Sequence, residues 1–238
     1  MQLHTALAVL VLAIFSGCEY AAPTQPAESR REMTPEFQLP RGIEVADLTG
    51  IHESYSVTTA EGGYHVFTVN VSAENIHRVF CRLASEVNEP AFLLLETGTH
   101  REVEQQLRKK ETDPFHKDVY YLDGMKWGDA RSMAESYSEL FIHDGGINYG
   151  FGSHEGHDEV FVGPYKIFSI YADEPAKYHA ALQELGISQD ECVKTVWDNF
   201  TQDSPGRRIV LPDAKPTIWD MIEELKEKGL YLAERRED

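Results

Sequence analysis

At 238 residues, 42% hydrophobic and 26% charged, the chain has the composition of one globular domain with short appendages. A domain of that size buries enough surface to need no disulfide. With 40 acidic against 22 basic residues the net charge is −18, which argues against nucleic-acid partners and favours basic proteins or divalent cations.

Residues 5–15 form an apolar run, Thr-Ala-Leu-Ala-Val-Leu-Val-Leu-Ala-Ile-Phe. It is shorter than the roughly 20 residues needed to cross hydrocarbon. Its length suits the apolar centre of a secretory signal, with small residues at the cleavage position. Phe15-Ser16-Gly17-Cys18 resembles the lipobox of bacterial lipoproteins, in which a small pair precedes the cysteine. The resemblance covers residues 1–18 only. It departs from the family pattern in having Phe15 where leucine is commonest, and in lacking Lys or Arg near the start. It implies removal of residues 1–17, a diacylglyceryl group on the Cys18 thiol, and acylation of the new amino terminus. The domain would then sit outside the cytoplasm, in the bacterial cell envelope, held to a membrane through the lipid on Cys18. An anionic bilayer repels a chain of this charge, so the acyl chains have to supply the attachment alone.

Four prolines (Pro23, Pro26, Pro35 and Pro40) and the absence of apolar periodicity mark residues 18–43 as an anchor and linker. The globular domain is then residues 44–238. Residues 64–71 alternate β-branched and aromatic side chains after Gly62-Gly63 and predict a strand. Ser72 is a candidate cap for a helix with Ile76, Val79, Phe80, Leu83 and Val87 on one face. Residues 91–96 predict a strand buried on both faces, 100–111 a polar helix, 119–122 a strand, and 128–142 a helix closed by Gly145-Gly146. A glycine- and aromatic-rich hairpin follows, from 147–152 through His154-Glu155-Gly156-His157 into 159–162, with further strand over 165–171. Asp173 and Pro175 predict a helix ending at Gly186. Ser188-Gln189-Asp190-Glu191 and Thr217-Ile218-Trp219-Asp220 each read as capping boxes before a helix, the first carrying Val193, Val196, Trp197 and Phe200. A short tail over 230–233 follows Gly229.

The strand pattern of residues 66–72 recurs at 167–173, each time feeding a helix. Alternating strands and helices with this echo predict an α+β fold. Its sheet is mostly antiparallel, with helices packed on one face and two halves of split βαβ type.

The densest group of chemically capable residues is at the hairpin tip, Ser153 to Glu159. Neutral imidazoles beside carboxylates suit a divalent metal, so His154, His157, Asp158 and Glu159 are candidate ligands, with His143 and Asp144 within reach. The spacing matches no established ligand signature, and a solvated polar turn is the competing reading. Glu53, Glu96 and Asp123 near strand ends are a candidate carboxylate pair. Tyr149, Phe151, Phe161, Tyr165, Phe168 and Tyr171 either line a ligand groove or fill a core. Cys81 and Cys192 permit one disulfide in an oxidising compartment, and spacing alone leaves it open. No nucleophile elbow, reactive cysteine motif or phosphate loop is present.

Three functions fit these features. The first is a non-catalytic binding module of the envelope. The second is a metal-dependent envelope hydrolase built on His154 and His157. The third is an acidic inhibitor or immunity-type protein that covers a basic partner.

Overall fold

The computed structural model describes residues 36–238, so the signal segment, Cys18 and most of the linker lie outside the described residues. The elements in chain order are β1 (Ile43–Glu44), β2 (Ser54–Thr59), β3 (His65–Asn70), α1 (Ile76–Ala84), β4 (Ala91–Gly98), α2 (Arg101–Leu107) and β5 (His116–Met125). Next come α3 (Trp127–Ser136), α4 (Ser138–His143), β6 (Ile147–Ser153), β7 (Glu159–Val162), β8 (Phe168–Ala172) and α5 (Pro175–Glu184). The chain closes with β9 (Ser188–Gln189), β10 (Arg207–Arg208), α6 (Ile218–Lys226) and β11 (Tyr231–Glu237). No helix among the described residues is long and apolar enough to cross a membrane.

Nine strands form one sheet in the order β11-β5-β4-β6-β7-β8-β3-β2-β9, antiparallel throughout except for β2 with β9. The fold is therefore α+β with a mostly antiparallel sheet. The two echoing strands are neighbours: Phe67 pairs with Ile170 and Val69 with Phe168 in the β3–β8 ladder. Each feeds a helix that crosses to a parallel strand further along the sheet. β3 leads through α1 to β4, with β8, β7 and β6 between, and β8 leads through α5 to β9, with β3 and β2 between.

Strand alternation assigns each residue to a face. Phe67, Val69, Leu93, Leu95, Tyr149, Phe151, Val160, Phe168 and Ile170 point to one side and form the main core. The helices cover that side. α1 contributes Ile76, Val79, Phe80 and Leu83, and α6 contributes Ile218, Met221, Ile222 and Leu225, at the spacing expected of a buried helical stripe. Thr217 and Asp220 form the reciprocal capping box predicted for α6.

Several expectations are corrected. The domain is entered before residue 44. The Gln38 N–H donates to Ser72 Oγ at 3.0 Å, Ile43 is buried, and a Cβ at Gly42 would lie 2.4 Å from the His143 carbonyl oxygen. Ser72 is thus engaged by Gln38 and does not cap α1 with its side chain. The helix over 128–142 breaks at Tyr137, whose hydroxyl donates to Glu224 on α6. The 188–191 box starts no long helix. Ser188 and Gln189 pair with Ser54 and Tyr55 at the sheet edge, and a single turn over Val196–Asn199 uses a Thr195–Asp198 box instead. The strand over 165–171 begins only at Phe168. Tyr165 and Lys166 adopt left-handed φ of 58° and 59°, and the Lys166 ammonium, 2% exposed as a residue, donates to the Ile147 carbonyl at 2.6 Å. The tail expected at 230–233 is the edge strand β11, paired residue by residue with β5.

Candidate ligand-binding face

The side of the sheet away from the helices carries a second, smaller cluster. Phe92 and Leu94 of β4 and Val119 of β5 are buried there, with Tyr121 and Phe161 packed against them. Every member comes from a strand. Residues 91–96 read as a continuous apolar run because both faces of β4 are covered, one by helices and the other by neighbouring strand side chains.

Glycines shape the middle of this face. A Cβ at Gly150 would meet the Phe161 ring at 3.1 Å, and one at Gly152 would meet the Phe92 ring at 2.6 Å and the Glu159 stem at 3.0 Å. Two aromatic rings and one glutamate therefore lie flat on β6, where any larger residue would displace them.

Polar groups flank the rings. Glu96, opposite Asn148 and Val119 in the ladders, is only 6% exposed. It accepts from Arg236 at 2.5 Å and from Asn148 Nδ2 at 3.1 Å, with the Lys117 ammonium at 3.8 Å. Such compensation is what a buried carboxylate requires to stay charged. Two atoms of this group, Asn148 Oδ1 and Arg236 Nε, are buried without a hydrogen-bond partner. Glu159 opens β7 opposite Gly152 and Tyr171. Burial pushes its carboxyl up to about 7, and the negative charge of Glu96 adds to the effect. Near neutral pH it is partly protonated and able both to donate and to accept. Burial and the nearby Glu159 charge push the hydroxyls of Tyr121 and Tyr171 up to about 12.

The hairpin-tip residues are dispersed around one end of this face. His154 Nε2 sits 2.9 Å from Asp123 Oδ1, which shares its carboxylate with the Tyr231 hydroxyl, and the imidazole packs on Phe92 at 4.6 Å. His157 turns the other way, 2.7 Å from Asp173 and stacked on Tyr64 at 4.6 Å. Asp173, expected to cap α5, instead accepts the His157 backbone N–H. Asp158 faces the helices and pairs with Lys177, whereas Glu159, one residue on, faces away. His154, His157, Asp158 and Glu159 therefore do not converge. Among the described residues no group of three or more His, Cys, Asp or Glu side chains is placed to hold a metal ion.

The remaining candidates are also separated. His143 Nδ1 accepts from the Arg41 N–H, and Asp144 is buried under the N–H groups of Gly146 and Leu211. Glu53 staples Ser72 and Asn75, so Glu53, Glu96 and Asp123 form no carboxylate pair. Of the aromatic stretch, Tyr149, Phe151 and Phe168 are core, and Phe161 and Tyr171 share the strand-only face. Tyr165 leaves the sheet for a packed triad with Trp197 and Phe200. Cys81 is a free, half-buried thiol 3.7 Å from His77, so it is not joined to Cys192.

Sequence reading missed Asn148, Lys117, Tyr231 and Arg236, which reach the face from distant strands. The one available signal was Glu96, a carboxylate inside an otherwise apolar strand. Searches of family models, curated proteins and solved structures found no match for this chain.

Proposed function

We propose that the chain is a lipid-anchored protein of the bacterial envelope that binds a ligand, without turning it over, on the helix-free face of its sheet. The observation that carries this reading is the placement together, on a face that no helix of the described residues covers, of half-buried rings and unpartnered polar atoms. The rings Tyr121, Phe161 and Tyr171 offer flat apolar contact. Glu159, Asn148 Oδ1 and Arg236 Nε offer hydrogen bonds not already used within the fold. The lipobox-like Cys18 and the proline-rich segment after it support attachment to a membrane with the domain held away from the lipid. The metal-hydrolase reading loses its ligand set, since each imidazole is engaged by a different carboxylate. The reading as an acidic inhibitor retains only the net charge.

The test is chemical-shift mapping of the full-length protein against a panel of cell-wall disaccharides and short peptides. The expected result is shifts concentrated at Tyr121, Phe161 and Tyr171. Phe161→Ala should weaken binding about tenfold, as loss of an anchoring ring commonly does. Shifts confined to the helix side, or binding indifferent to Phe161→Ala, would overturn it. Labelled palmitate should enter the wild type and not Cys18→Ser.

A further inference from the structure

A separate groove of about 710 Å³ opens at the far end of β4, between α2, the turn that follows it, and the start of α6. Its lining departs from the rest of this acidic molecule. Arg101, Lys109 and Lys110 line it, and none of the three has an ion-pair partner among the described residues. Arg82 and Lys228, by contrast, are held by acids, the first by Glu86 and Glu184 and the second by Glu224. The same lining holds two exposed apolar side chains, Phe115 at 62% and Val210 at 60%, and the half-buried Trp219, which packs edge-on to His100.

The exposed ring is fixed in place. The Arg108 guanidinium stacks 3.8 Å from the Phe115 centroid and donates to the carbonyls of Asp113 and Glu111. The Asp113 carboxylate accepts the backbone N–H groups of Lys109 and Lys110 at 2.8 and 2.9 Å, which closes the turn that bears both lysines. Glu104, also in the lining, spends one oxygen on His116, and its other oxygen is buried with no partner. That unused acceptor suits an N–H donor and opposes a phosphate.

We propose that this groove is a docking site for an acidic peptide segment of a partner protein. Its carboxylates would meet Arg101, Lys109 and Lys110, its apolar side chains would rest on Phe115, Val210 and Trp219, and one backbone N–H would reach Glu104. Unpaired cations, a fixed exposed ring and neighbouring apolar side chains in a concave site are what such a segment needs: charge for steering and apolar anchors for residence. A membrane surface fits less well, because the site is a concave groove between α2, its following turn and α6, which a flat bilayer does not enter.

The experiment uses full-length protein in detergent and a fluorescein-labelled dodecapeptide of alternating glutamate and leucine, read by anisotropy. Binding should weaken at least about tenfold in Lys109→Glu/Lys110→Glu and in Phe115→Ser, whose sites are exposed enough to leave the fold intact. It should also weaken as salt rises from about 50 to about 300 mM. Glycerol 3-phosphate, which carries the lipid-headgroup chemistry, should not displace the peptide. No binding by the wild type, wild-type binding in either variant, or displacement by glycerol 3-phosphate would each overturn the proposal. None of these outcomes depends on the helix-free face, so its ligand is tested independently.

Discussion

The two faces of the central sheet are built from the same strands and do opposite things. Under the helices, Phe67, Phe151 and Phe168 are fully buried among aliphatic side chains, and stability comes from apolar area removed from water. On the other side, Phe92, Leu94 and Val119 share their surface with Glu96, Asn148, Arg236 and Glu159, polar groups that are costly to bury, and Asn148 Oδ1 and Arg236 Nε lack a hydrogen-bond partner. A sheet that needed only a second hydrophobic layer would not place a carboxylate in β4 and a glutamate over Gly152. One face therefore holds the fold, and the other tolerates destabilising groups in positions where a ligand can use them.

That contrast can be broken by mutation. Phe151→Ala, on the helix side and against Trp127, should cost about 3–5 kcal/mol in chemical denaturation, as large cavities do. A loss below about 1 kcal/mol would show that the helix side is not the dominant core. On the other face Arg236→Ala removes the closest cation from Glu96 and should cost about 2–3 kcal/mol. Lys117 and Asn148 remain to hold the carboxylate. Arg236→Ala combined with Glu96→Gln should recover part of that loss; no recovery would mean that the pair is not what stabilises the face.

The smallest effect concerns Glu159. Its folded carboxyl is raised to about 7, above its ordinary value of 4.5, so the native state holds its proton more tightly than the unfolded chain. Stability from this group is full below about pH 4.5 and is lost as pH rises towards 7 and beyond. Glu159→Gln should flatten that fall and raise stability at pH 8 by roughly 1–2 kcal/mol, with solvent screening allowed for. Parallel stability–pH curves for the two proteins would show that Glu159 titrates as an ordinary surface carboxylate.

Local pattern carried much of the architecture. The stripe Ile76, Val79, Phe80, Leu83, the Thr217–Asp220 box and the alternation of residues 66–71 each depend on neighbours within one or two turns, so they were legible without a partner. Competition between local and distant partners was not. Ser188 and Gln189 found a sheet edge that satisfied their backbone better than a helix start, and Tyr165 and Lys166 were bent by a buried hydrogen bond to Ile147. The hairpin-tip cluster was dense in sequence, yet residues 158 and 159 face opposite sides of a strand. Its histidines found Asp123 and Asp173, which are 31 and 16 residues away from them.

By itself, the sequence determined the α+β class, the apolar stripes and the lipobox-like start, because these are properties of short windows. Only the tertiary structure decided which face stays free of helices and that Arg236 reaches Glu96 across 140 residues of chain. It also decided that three unpaired cations share a groove with Phe115. Binding surfaces are assembled from strands and turns whose order in space is set by ladder pairing and burial of the whole sheet, and no single segment encodes that sum.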